Sequence, residues 1–145
     1  MTVDVARSVA IRSEGTRLLF YGGHRPDQAE GYDVGVDLGW MEHILALTVE
    51  RFPFLADMPL DTRASWAGTY DVSPDHTAIV GADPDCATWI NACGFSGHGV
   101  MQAPEVGRIV AEQVTVGRIS SLDASALSLA RFTGDRPVAG IGLVL

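Results

Sequence analysis

The sequence predicts an α+β fold, with antiparallel sheet first and a strand, a glycine turn and a helix afterwards. Three observations predict it. Apolar residues alternate at Val3, Val5, Val9 and Ile11, then cluster at Leu18 to Tyr21 after Ser13-Glu14-Gly15-Thr16, which is the pattern of a β-hairpin. Helical spacing is confined to two segments, one near residues 39–51 and one near 99–117. Between the last strand signal and the second helix lie Gly94, Gly97 and Gly99, a glycine-rich turn.

The elements follow in order. Gly22-Gly23 closes the hairpin, and residues 24–35 are polar with Pro26 and Gly31, a surface loop that can also line a site. Met41, Ile44, Leu45, Thr48 and Phe52 mark an amphipathic helix that stops before Pro53. Thr62 to Tyr70 is predicted as a strand carrying Trp66, reversed by Ser73-Pro74-Asp75-His76 into the strand Ala78-Ile79-Val80. Asp83-Pro84-Asp85 is a second turn, and Thr88 to Cys93 a short buried strand. Val106, Ile109, Val110 and Val114 define a helix beginning between Gly99 and Ala103 and ending near Gly117, with Pro104 tolerable only near its start. A last short helix follows Asp123 through Leu127 and Ala130 to Phe132. Trp40, Trp66 and Trp89 are expected as core aromatics, and Cys86 and Cys93 as buried small residues.

Composition narrows the function. The 145 residues suit one ordinary domain and a single compact unit. Ten arginines, no lysine and 18 acidic residues give a net charge of -8, which repels nucleic acid and acidic membrane surfaces. No apolar run reaches the ~18 residues of a membrane span, Asp4 interrupts the start, and two cysteines form no disulfide framework. A cytoplasmic protein is expected. His24, His43, His76 and His98 have no metal-ligand spacing, so no metal site is expected.

Gly94-Phe95-Ser96-Gly97-His98-Gly99 is the most informative stretch. Its glycines allow positive φ and close approach, and the following helix start offers N–H groups and the positive end of a dipole to an electron-rich ligand. A tight strand-to-helix connection without a ligand has the same spacing, so both readings stay open. The glycine order reverses the dinucleotide fingerprint G-x-G-x-x-G, and no acidic strand end follows ~20 residues later, which disfavours an independent Rossmann site. The nucleophile elbow G-x-S-x-G fails because His98 stands where Gly is needed.

Trp66-Ala67-Gly68-Thr69-Tyr70-Asp71-Val72-Ser73-Pro74-Asp75-His76, then Ile79-Val80-Gly81, then Gly94 to Gly99, with Ala103-Pro104, Val106-Gly107, Ala111-Glu112 and Arg131-Phe132, resemble the carboxy-terminal part of the glycine/D-amino-acid oxidase superfamily of flavoenzymes. The branch is that of sarcosine and dimethylglycine oxidases and dehydrogenases. The resemblance covers roughly Val5 to Phe132 and implies an incomplete FAD-oxidoreductase fold. In it, residues 1–86 belong to a substrate-domain-type antiparallel sheet, 87–132 form the strand, glycine turn and helix returning to the flavin, and 133–145 are an apolar tail.

The implied activity is oxidation of a C–N bond of a small amine or amino acid by hydride transfer to flavin. Gly94, Phe95, Ser96, Gly97, His98, Gly99, Val100 and Met101 would contact FAD, and His98, Trp66 and Thr69 the substrate. No residue is assigned as a general base. The family's G-x-G-x-x-G nucleotide site is missing from this sequence. Met101 replaces a carboxylate-binding Lys, and no Cys near Trp66 to Tyr70 is available for covalent attachment. The FAD is therefore expected to be noncovalent and held only in a complete assembly, with a partner or missing half supplying the nucleotide site; the expected partners are a second copy of the chain or a chain bearing the FAD domain. The alternative is a non-catalytic remnant or subunit that serves as a binding or assembly module.

Overall fold

The computed structural model describes residues 1–23, 25 and 27–133. His24, Pro26 and all but the first residue of the expected 133–145 tail lie outside the described residues. The chain divides into two compact units, the first spanning Met1–Thr69 and the second beginning at Tyr70.

The first unit carries the alternating pattern as a three-stranded antiparallel sheet, β1 (Thr2–Asp4), β2 (Val9–Glu14) and β3 (Arg17–Gly22), in that order. The alternation from Val3 to Ile11 is divided between two strands. Asp4 causes the break: its carboxylate accepts the Arg7 N–H at 3.2 Å and pairs with the Arg7 guanidinium, closing a turn that ends at Ser8 with φ 53°. A short acidic side chain that bonds to nearby backbone competes with the ladder. Ile11 then faces Thr2 on one side and Phe20 on the other.

Helix α1 (Leu38–Arg51) starts at Asp37, whose carboxylate accepts the Trp40 N–H at 2.9 Å. It stops at Phe52, where Pro53 forbids continuation. Ile11, Phe52 and Leu55 form the core with Leu18, Phe20 and Val49 packed against them. Thr48, fully buried, satisfies its hydroxyl by donating to the Ile44 carbonyl at 2.7 Å.

The predicted strand from Thr62 to Tyr70 is absent. Thr62–Ala64 is a single 3-10 turn, and residues 65–69 join no ladder. Its expected partner, β4 (Ile79–Ala82), pairs instead with β5 (Ile90–Cys93) in the second unit. Trp66 supplies strand propensity, but propensity without a partner strand makes no sheet. Trp66 and Trp89 are also not core aromatics: they are 69% and 64% exposed. Cys86 is exposed rather than buried.

In the second unit β4 and β5 are antiparallel, with Ile79 opposite Cys93 and Ala82 opposite Ile90. Helix α2 (Gly99–Val116) ends at Gly117 in the left-handed conformation, within the predicted limits. Pro104 sits in its second turn. It removes the donor for the Val100 carbonyl, a residue 91% exposed, so solvent replaces the lost partner. Ala78, Val80 and Ile109 form the core, covered by Phe95, Val106, Val110, Ile119, Leu122 and Leu127. Removing the Ile109 side chain to Cβ should cost about 2–5 kcal/mol, because it is almost fully buried. The last predicted helix is two 3-10 turns, Ser125–Leu127 and Leu129–Phe132. Asp123 bonds to the Ser125 N–H at 3.0 Å and makes a local turn where a helix cap was expected. Among the described residues no helix is long and apolar enough to cross a membrane.

Candidate functional site

β5 leads directly into the glycine bend. Gly94 and Gly97 have φ of 68° and 88°, and Ser96 between them has φ 51°. Side chains are disfavoured at both glycines by more than the dihedral. A Cβ on Gly94 would lie 2.9 Å from Ser73 Cβ, and one on Gly97 would lie 3.2 Å from the Tyr70 ring. The bend is therefore backbone pressed against the segment Tyr70 to Ser73.

That segment fixes it from one side. The Asp71 carboxylate accepts the Gly94 N–H, the Asp71 carbonyl accepts the Ser96 N–H at 2.9 Å, and Val72 bridges Phe95. Ser96 is 1% exposed. Its hydroxyl accepts the Ser73 N–H at 3.3 Å and donates to the Gly94 carbonyl at 3.2 Å, so its proton is committed to backbone and not to a base. No hydrogen bond joins Ser96 to His98 among the described residues.

Its other side is the start of α2. The His98 N–H donates to Phe95, and the His98 carbonyl accepts from Met101 and Gln102. Gly99 and Val100 donate to no acceptor among the described residues. These are the orphan donors of a helix N-terminus, at the positive end of an 18-residue helix. The His98 side chain does not cap them. Val100 and Met101 point largely into solvent, at 91% and 73% exposure. The arrangement can donate two hydrogen bonds and a partial positive charge to an electron-rich group brought close by bare glycine backbone.

Of the sequence-predicted residues, the structure brings together Gly94 through Met101. Trp66 and Thr69 are exposed residues at the end of the first unit. Among the described residues no three His, Cys, Asp or Glu are grouped to hold a metal. Sequence reasoning missed the support of the bend: Asp71, Ser73, Asp75 and Arg131. Arg131 pairs with Asp75 at 2.8 Å across 56 residues, a separation that carries no local spacing signal. The available clue was a lone arginine among Leu127, Leu129, Ala130 and Phe132.

The class of protein follows from a solved structure. The chain superposes on L-proline dehydrogenase from P. horikoshii with a TM-score of 0.72 and 27% identity, over 86% of this chain and 32% of that one. Both share a mixed α+β architecture with antiparallel sheets. The family model of FAD dependent oxidoreductases (DAO) matches residues 1–113. The chain belongs to that family.

Its relatives include "FAD-dependent oxidoreductase domain-containing protein 1" of Bos taurus, 36% identical over 83% of this chain and 26% of that protein. The Xenopus laevis protein of the same name is 34% identical over 88% of this chain and 26% of its own length. N-methyl-L-tryptophan oxidase of Salmonella dublin is 36% identical over 58% and 23% respectively. The chain thus spans about a quarter of the length of the relatives it matches.

Proposed function

We propose that this chain is the carboxy-terminal portion of an FAD-dependent oxidoreductase that oxidises a C–N bond of a small amine or amino acid. The observation that carries the reading is the pair of unclaimed N–H groups on Gly99 and Val100, reached across glycine backbone at the positive end of α2. When bound, FAD would supply the redox chemistry, accepting a hydride from the carbon bonded to the amine nitrogen. The bend suits such a group: a planar electron-rich ring needs close backbone approach and free donors, and the glycines and the unclaimed Gly99 and Val100 N–H groups would supply them. The residues that would hold it are Gly94 to Met101, and attachment would be noncovalent.

The chain's own contribution is orientation and electrostatic support. The amides of Gly99 and Val100 would stabilise negative charge on the ring edge, and His98 would face ring or substrate. The amine substrate is supported by the names of two similar proteins, an N-methyl-L-tryptophan oxidase and an L-proline dehydrogenase. The assignment of Trp66 and Thr69 to substrate rests on the resemblance of the Trp66 to His76 stretch to that family.

A second reading, a non-catalytic assembly module, is favoured by the apolar exposure of α2 at Val100, Met101, Val114 and Val116. A monodisperse monomer at high concentration would count against it. The proposed function is tested by mixing the chain with FAD, with and without an amino-terminal half bearing G-x-G-x-x-G, and recording flavin fluorescence. Quenching that requires both halves is expected. Unchanged fluorescence in both mixtures would overturn the reading.

A further inference from the structure

The turn Ser73–Thr77 joins two parts of the second unit that are distant in sequence. On one side it holds the last 3-10 turn through Arg131, whose side chain is 5% exposed and whose five N–H groups are all used. Nε donates to Asp75 Oδ2 at 2.8 Å, and one terminal nitrogen donates to Asp75 Oδ1 at 3.0 Å and the Thr77 carbonyl at 2.6 Å. The other donates to the Leu127 and Ser128 carbonyls at 3.0 and 3.2 Å. On the opposite side the turn holds the glycine bend through the bond from Ser73 N–H to the Ser96 hydroxyl. Inside the turn the Ser73 hydroxyl proton lies between Asp75 Oδ1, at 3.1 Å, and the Thr77 carbonyl, at 2.8 Å.

A buried ion pair is a poor source of net stability, since apolar side chains of similar volume pack as well. What it does supply is direction. The Asp75 oxygens receive Arg131 Nε, Arg131 Nη2, the Ser73 hydroxyl and the Thr77 N–H, so the carboxylate cannot rotate without breaking several charge-assisted bonds. Both ends of the relay contain strained backbone: His76 at φ 56° inside the turn and Ser96 at φ 51° inside the bend. Left-handed non-glycine residues are strained and persist only where surrounding contacts over-determine them.

We propose that Arg131 is a positioning residue for the glycine bend: through Asp75 and Ser73 it fixes Ser96, and so the direction of the Gly99 and Val100 N–H groups. The proposal rests on the reading of that bend as the flavin contact.

The test uses amide hydrogen exchange on the full chain, for wild type, Arg131→Lys, Ser96→Ala and the double variant. Lysine keeps the charge but cannot reach both Asp75 oxygens and the Thr77, Leu127 and Ser128 carbonyls together. Exchange at Ser73 and Ser96 should rise by about tenfold in each single variant, with Ile11 and Phe20 in the first unit unchanged. In a relay the double variant should exchange at those amides no faster than Ser96→Ala alone. Faster exchange confined to Thr77 and residues 127–133, or additive effects in the double variant, would overturn the proposal.

If Arg131→Lys unfolds the second unit, Ser73→Ala cuts the relay while leaving the ion pair intact. Unchanged exchange at Ser96 would then overturn it. A parallel measurement of FAD fluorescence with the amino-terminal half separates the two claims. Faster bend exchange with weaker quenching supports both. Faster bend exchange with undiminished quenching supports the positioning role and sinks the flavin reading.

Discussion

Asp71 holds Gly94 from across the bridge between Val72 and Phe95: its carboxylate receives the Gly94 N–H, while its own carbonyl receives the N–H of Ser96 at 2.9 Å. Gly94 is buried while Asp71 is exposed, so the bond is a charge-assisted one at the edge of solvent. Asp71→Ala should therefore destabilise the second unit by about 1.5–3 kcal/mol, the range for a lost hydrogen bond to a charged group. Asp71→Asn keeps a side-chain oxygen and should lose less. Urea midpoints of the two variants check this, and equal losses would contradict it.

Gly97 makes the sharper steric case. An alanine there meets both φ 88° and a Cβ position 3.2 Å from the Tyr70 ring. Gly97→Ala should cost roughly 1–3 kcal/mol, the dihedral and the ring contact both contributing. Adding Tyr70→Ala removes the contact but leaves the dihedral penalty, so Gly97→Ala should cost less in the Tyr70→Ala background than in wild type. A thermal-melt cycle reads the coupling. Strict additivity would show that the ring yields without cost.

Much of this fold was legible in the sequence because its signals were local. The period of α1, the proline that ends it, the hairpin around Gly15-Thr16 and the glycine after α2 each act within a few residues. The glycine bend was legible for the same reason. What failed was non-local. The pairing of β4 with β5 instead of residues 62–70 depends on which strand is available, and Trp66 carries no information about that. The division of the first strand at Asp4 turned on one side chain choosing backbone over solvent. The support of the bend by Asp71 and Arg131 spans 23 and 56 residues, and nothing in a single sequence marks such pairs.

Acid should expose the Arg131 pairing. Hydrogen bonding from Arg131 holds the Asp75 carboxyl down at about 2, against an ordinary value near 3.8. A group depressed in the folded state contributes stability that is complete above its unfolded pKa and lost as pH falls through the folded one. The window is thus between about pH 4 and pH 2, and the contribution about 2 kcal/mol. Glu112, held at about 2 by hydrogen bonds from Ser120 and Ser121, loses its share in a similar window. Asp75→Asn should therefore make the acid limb of a stability curve shallower without abolishing it. An unaltered limb would mean that Asp75 titrates normally.

The two cysteines should separate in reactivity. Cys86 is exposed, and its hydrogen bond with Thr88, 3.5 Å away, lowers its thiol from the ordinary range. Cys93 is half-buried at the end of β5, and burial, followed by the charge of Asp71, pushes its thiol up. Reaction requires thiolate and access, and both favour Cys86. An aromatic disulfide reagent at neutral pH should consume one thiol quickly and the other at least ~10-fold more slowly. Cys86→Ser should remove the fast phase, and Asp71→Asn should speed the slow one by relieving the like charge beside Cys93. A single phase of two equivalents in the folded chain would show that β5 does not shield Cys93.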